Sequence, residues 1–260
     1  MTDSADRRLD AVEAISAEPP HRIRRPIMLQ GWRNLAALHW SFDPDEVQRL
    51  IPSGFTVDTF DGWAWVGLIP FDMQRIRVPG FPPFGFLSSF PETNVRTYIV
   101  DRTGRRGVWF MSLDVTRLLP ALVARVSYRL PYCWAAMSIE QEAKNGVNTW
   151  TYQSRRRWPS GEAASLVTVR VGNQLDESSI TDLDHFLSAR WALGSTVGGR
   201  LLWAKVSHQR WTLHAATAHG WNESLFAAAG LPTPTQEPIV RWSPGVEVAI
   251  QRPRIILRSR

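Results

Sequence analysis

Glu92, Asn94, Arg96 and Tyr98 stand two residues apart in the stretch FPETNVRTYIVD. Side chains of an extended strand alternate between its faces, so these four share one face and Val95, Thr97 and Ile99 share the other. A carboxyl group in such a row could move a proton, and a guanidinium could grip a carboxylate through two parallel hydrogen bonds. The row could line a small-molecule pocket. It could equally be the wet face of an antiparallel sheet, and the spacing leaves both readings open. The polar turn 101–107 carries the charges and glycines of a hairpin loop. The strand after it places Trp109, Met111 and Leu113 on one face and Phe110, Ser112 and Asp114 on the other.

Other chemistries find little support. His208, His214 and His219 lie close in SHQRWTLHAATAH, but no carboxylate or cysteine stands at a zinc-like offset and no HExxH occurs, so no metal is expected. Cys133 sits between Tyr132 and Trp134 and reads as a buried, inert thiol. There is no GxSxG, GxGxxG or P-loop, so neither a serine hydrolase nor a nucleotide cofactor is indicated. The run 155–157 reads as a solvated strand end, and Arg190 as a helix-surface arginine.

Composition narrows the class. The chain has 260 residues, 44% of them hydrophobic and 21% charged, which suits a globular fold with a sizeable core. Its 13 Trp and 11 Phe favour pleated, half-buried surfaces and ligand cavities. The net charge of +6 comes from arginine, since Lys144 and Lys205 are the only lysines. These arginines are spread along the chain and no nucleic-acid motif accompanies them, so no nucleic-acid partner is expected. One cysteine permits no internal disulfide, and no apolar run is long enough to cross a membrane, so the expected setting is the cytoplasm without a membrane partner.

Residues 1–25 read as a flexible N-terminal arm and 26–260 as a single domain. A strand is expected over 32–42, then a short helix with Asp43 as N-cap and Pro44 at its first position. Asp61-Gly62 marks a hairpin inside 55–71. A proline-rich loop spans 78–91. Helical spacing appears over 116–126, and strands follow around Cys133, Val147, Ala164, Arg200, Arg210 and Val246. Ser178 or Ser179 caps a helix carrying Ile180, Leu183 and Phe186, and Asn222 caps another ended by Gly230. Nine to twelve strands with three or four short helices imply an antiparallel α+β domain with a closed or strongly bent sheet.

The blocks LHW, LIPSGFTVDTFDGWAWVGLIPF, FPETNVRTY, GVWFMSLD and ARVSYRLPY, in this order, resemble the YqjF-like family of uncharacterised bacterial proteins, grouped with the acetoacetate decarboxylase-like superfamily. The resemblance covers roughly 28–254. It implies a cone-shaped, closed, mainly antiparallel β-barrel with a few short peripheral helices and a cavity inside. Acetoacetate decarboxylase itself uses a buried lysine as a Schiff base. The matching segment here, 128–132, holds no lysine. The resemblance also implies that Glu92 is similar to the active-site glutamate of that group, and that Arg96 and Arg125 hold a substrate carboxylate. Asn94, Tyr98, Tyr132 and His39 would shape or polarise the site, with His39 a candidate base beside Glu92. The expected function is thus a small-molecule-binding protein or a lyase- or hydratase-type enzyme acting on a small organic keto acid without a Schiff-base lysine. The alternative is a non-catalytic module that binds or senses an apolar metabolite. Whether the protein is a homo-oligomer stays open.

Overall fold

The computed structural model describes residues 12–83, 85–116, 130–159 and 162–258. The helical spacing at 117–126, and Arg125 with it, lies outside them. The strands are β1 (Met28–Phe42), β2 (Phe55–Val57), β3 (Thr59–Phe60), β4 (Trp63–Arg77), β5 (Phe90–Asp101), β6 (Arg106–Val115) and β7 (Tyr132–Lys144). They continue with β8 (Val147–Trp158), β9 (Ala164–Gln174), β10 (Ala192–Val197), β11 (Arg200–His208), β12 (His214–Glu223), β13 (Ile239–Ile250) and β14 (Arg254–Arg258). Among the described residues three short α-helices accompany them: α1 (Pro44–Gln48), α2 (Asp182–Ser188) and α3 (Leu225–Ala228). Asp43 caps α1 as expected, its Oδ1 accepting from the Asp45 amide at 2.7 Å. Asp61 and Gly62, and likewise Asn145 and Gly146, take the paired positive φ angles that two-residue hairpins need.

Several local expectations shift. The cap of α2 is Thr181, which forms a reciprocal capping box with Asp184, and Ser178 and Ser179 lie in a preceding 3-10 turn. Asn222 belongs to β12, and Ser224 holds the cap position of α3. The C-terminal strand is two strands, β13 and β14, parted before Arg254. β10 escaped the pattern reading because its run, ALGSTV, has no alternation to read.

The strand pairings close on themselves twice. One ring runs β6–β10–β11–β13–β1–β4–β5 and back to β6, seven strands in all. A second runs β6–β7–β8–β9–β12–β13–β1–β4–β5, nine strands. β6 and β13 fork between the rings. β6 pairs in parallel with β10 at Val108 and Trp109, then with β7 from Leu113 to Val115. β13 meets β12 near Trp242 and β11 near Ile250. The wall β1–β4–β5 belongs to both rings. Closure leaves few unpaired edges. Gly245 permits the β1–β13 crossing: its φ is +119°, and a Cβ there would lie 1.8 Å from the Trp32 carbonyl oxygen.

Two buried apolar clusters result. One joins Trp40, Val66, Leu68 and Val95 to Trp150, Tyr152 and Trp242. The other joins Ile69, Phe71 and Tyr98 to Phe110, Val206 and Val248. β5 feeds the first with Val95 and Ile99 and the second with Tyr98, so it is a partition with an interior on either side. Every residue from Glu92 to Asp101 is buried. The wet-face reading of the Glu92 row is therefore wrong. Ahead of the sheet, the stretch that includes Glu13, Ser16 and His21 lies against the domain. The Trp191 Nε1 donates to the Ser16 carbonyl at 2.9 Å, and the Glu13 amide to the Gly104 carbonyl at 2.8 Å.

Candidate functional site

A partly open cavity of about 70 Å³ lies inside the smaller ring. All seven strands of that ring line it: Gln30 and Trp32 from β1, Met73 from β4, Glu92, Asn94 and Arg96 from β5, Val108 and Phe110 from β6, Leu193 from β10, His208 from β11 and Ile250 from β13. Tyr132 of β7, Arg190 and Trp211 complete the wall. The row Glu92–Asn94–Arg96 faces inward because the period of two is unbroken along β5. On β6 it is broken. Val95 pairs with Ser112 and Arg96 with Phe110, so Met111 bulges out of register. The bulge puts Leu113 on the cavity side with Phe110, whereas Trp109 and Met111 pack against the other cluster. Leu113 thus leaves the face on which strict alternation places it.

The lining is rich in buried polar atoms without partners. Among the described residues, Glu92 Oε2, Asn94 Oδ1, Arg96 Nε, Arg190 Nη2 and Trp32 Nε1 have no hydrogen-bond partner. Folded proteins satisfy nearly all such groups, so five around one small cavity call for a ligand or water to complete them.

Glu92 is 3% exposed. Burial pushes its carboxyl up to about 8, the charge of Asp114 adds to this, and the Asn94 amide opposes it. Glu92 is a neutral acid at pH 7 with a proton to give. Four residues further along β5, roughly 13 Å by strand rise, Arg96 is buried with no carboxylate partner among the described residues. Its Nη2 donates to the Leu187 carbonyl at 3.5 Å, and the guanidinium also lies against the Tyr98 phenol, whose ionised form it favours. A buried cation without a counter-ion is costly and favours an anion beside it.

Behind Arg96, the Tyr98 hydroxyl donates to the Leu187 carbonyl at 2.8 Å. Its single proton is then spent, so at 2.7 Å the Nε2 of His39 must be the donor to the Tyr98 oxygen. His39 is neutral: burial, then Arg96 and Arg241, hold it well below the usual imidazole range. Gly67 makes room for this ring, since a Cβ there would stand 2.7 Å from His39 Nε2. His39 lines a separate cavity of about 30 Å³ on the other side of Arg96, together with Asp184 and Arg241. His208 is also neutral, pulled down to about 4 by burial, with its ring centroid 4.4 Å from that of Trp191.

The fold therefore brings Glu92, Asn94, Arg96 and Tyr132 to one cavity. Tyr98 and His39 stand behind Arg96, and the expected pairing of His39 with Glu92 does not form. Arg190 is not on a helix surface. It follows α2, is 6% exposed and lines the cavity. Arg156, expected in solvent, is buried and bonded to Asp114 at 2.7 Å, while Arg155 and Arg157 are exposed. The period of two from Ala204 to His208 could have flagged His208. Nothing periodic could have flagged Arg190. Lys205 alternates with Ala204 and Val206 and so points away from the cavity, and Lys144 is exposed in the β7–β8 hairpin. Among the described residues no helix is long and apolar enough to cross a membrane.

The forked, doubly closed sheet is of the acetoacetate decarboxylase-like fold class, as its likeness to solved structures shows. An acetoacetate decarboxylase-like enzyme from Sphingomonas wittichii RW1 superposes with a TM-score of 0.60 at 12% identity, over 96% of this chain and 100% of that one. The enduracididine biosynthesis enzyme MppR, complexed with pyruvate, gives a TM-score of 0.61 at 13% identity over 92% and 93%. Within that class, the chain belongs to the DUF2071 family of uncharacterized conserved proteins, whose model matches residues 29–247. It is similar to the uncharacterized protein YqjF of Bacillus subtilis (strain 168), with 31% identity over 217 residues, 84% of this chain and 87% of that one.

Proposed function

We propose that this protein binds a small organic acid, a keto acid, in the cavity of the smaller ring and acts on it as a lyase or hydratase without a Schiff-base lysine. The observation that carries the reading is the set of unpartnered buried groups around one cavity, with a neutral carboxylic acid at one end and an unpaired guanidinium towards the other. Arg96 holds the acid's carboxylate. Glu92 gives its proton to a departing hydroxyl, which leaves as water when the C–O bond breaks, and the resulting carboxylate takes the proton of the adjacent carbon as the double bond forms; hydration is the reverse, which suits a carboxyl that titrates near neutrality. Asn94 and Tyr132 orient the ligand between them. A volume of about 70 Å³ is roughly that of two waters at liquid density, which limits the ligand to a small acid of about three carbons. MppR was solved with pyruvate, an acid of this size. The buried carboxyl argues against a purely apolar metabolite. The single, buried cysteine suits a cytoplasmic setting.

A thermal-shift screen of three- to five-carbon keto and hydroxy acids tests this. A true ligand at a hundredfold excess over its dissociation constant stabilises by about 2.7 kcal/mol. Glu92→Gln should keep the shift and lose turnover, and Arg96→Gln should lose the shift. Silence from every acid would sink the reading. Borohydride with a bound keto acid should leave the protein's mass unchanged, and a label on Lys205 would restore amine chemistry.

A further inference from the structure

Arg190 is a second guanidinium in the same wall. Its Nε donates to the Phe186 carbonyl at 2.7 Å and its Nη1 to Asp58 Oδ2 at 2.6 Å. Its Cζ lies 4.5 Å from the Tyr98 ring centroid and 4.3 Å from that of Phe186. Two nitrogens and the contacts with two adjoining rings thus hold the group still, and Nη2 is left buried without a hydrogen-bond partner. Asp58 is itself fixed. Arg106 Nη1 reaches both of its oxygens, at 2.8 and 2.6 Å, and Arg106 Nε donates to the Glu13 carbonyl at 2.7 Å. A buried arginine kept in one orientation with a spare donor beside a cavity is preorganised for an anion.

The charges around the cavity limit which anion. Asp58 balances Arg190 at 2.6 Å, Asp184 balances Arg241 at 2.8 Å and Asp114 balances Arg156 at 2.7 Å. Arg106 reaches solvent, being 20% exposed. Glu92 and His208 are neutral near pH 7. One positive charge remains uncompensated, that of Arg96. A single carboxylate neutralises it, whereas a second anionic group would enter a low-dielectric space unpaired.

We propose that Arg190, oriented by Asp58, is a second anion-binding residue of this cavity, and that with Arg96 it selects acids carrying one carboxylate over acids carrying two. The inference rests on the acid-binding reading above and adds to it a binding residue, a positioning residue and a charge preference.

Titration calorimetry of the full chain with pyruvate and with malonate tests it. The unaltered protein is expected to bind pyruvate more tightly. Arg190→Gln should weaken pyruvate about ten- to a hundredfold, the usual loss for a hydrogen bond to a charged group. D58N should move the preference towards malonate, because it leaves the wall one negative charge short. A merely structural Asp58 would lower the melting temperature and leave the pyruvate-to-malonate ratio unchanged, which would overturn its role. If R190Q binds pyruvate as well as the unaltered protein while R96Q does not, the acid-binding reading stands and this proposal falls. If the unaltered protein binds neither acid, both fall. Should R190Q fail to fold, a crystal of the unaltered protein with pyruvate decides: a carboxylate within hydrogen-bond distance of Arg190 Nη2 supports the proposal, and a carboxylate elsewhere overturns it.

Discussion

Glu92 and two buried imidazoles pull stability in opposite directions as pH changes. Glu92 has a folded pKa of about 8 against 4.5 in the unfolded chain. Between those values the folded state holds a proton that the unfolded state has lost, so its contribution falls as pH rises, by about 1.4 kcal/mol per unit. Burial pulls His208 down to about 4 and holds His39 well below 6.5. Their contribution is present above 6.5 and is lost on acidification. Below 6.5 the lowered imidazoles, His21 among them, oppose the raised carboxyls; above 6.5 the imidazoles no longer respond, and Glu92 still loses stability up to about 8. Stability measured by urea unfolding should therefore peak near pH 6.5, and Glu92→Gln should remove the decline on the alkaline side. A peak unmoved by E92Q would mean that Glu92 ionises normally. At this scale the sequence was informative where chemistry and period coincide. The Glu92 row could be read because β5 is regular, with neighbours that force it to be buried on both faces. Arg190 could not, since it lies between a helix and a strand and its partner Asp58 is 132 residues away.

Helix α2 is short, and its far end carries much of the site. The carbonyls of Phe186 and Leu187 are orphans of its last turn, and they accept from Arg190, Tyr98 and Arg96. The helix is started by the Thr181–Asp184 capping box. Thr181→Ala should cost about 1 kcal/mol in thermal unfolding and weaken pyruvate binding as well, because the carbonyls lose their fixed position. A variant that melts earlier but binds unchanged would disconnect the cap from the cavity. Caps and tight turns were only partly legible. Asp43-Pro44 and Asp61-Gly62 carry their geometry in local side-chain chemistry. Around Ser178, Ser179 and Thr181 three residues offer the same hydroxyl, and only the reciprocal bond with Asp184 separates them. The Met111 bulge left no mark at all, because an apolar run reads alike in or out of register.

Across the whole molecule, β5 is hydrogen-bonded along both edges and buried on both faces. β14 pairs with β11 alone and ends the sheet. Native-state hydrogen exchange should find the amides of Asn94 to Ile99 among the slowest and those of β14 among the fastest. The antiparallel class and the closed sheet were legible from strand count and turn spacing, and the family blocks pointed to the fold. The double closure was not. It depends on two parallel contacts of β6 and on the fork of β13, which join segments far apart in the chain and leave no local pattern. Both lysines, meanwhile, stand clear of the cavity, one in an exposed hairpin and one on the back of β11. Amine coupling through Lys144 would tether the molecule to a sensor surface by a hairpin tip that contributes nothing to the cavity lining.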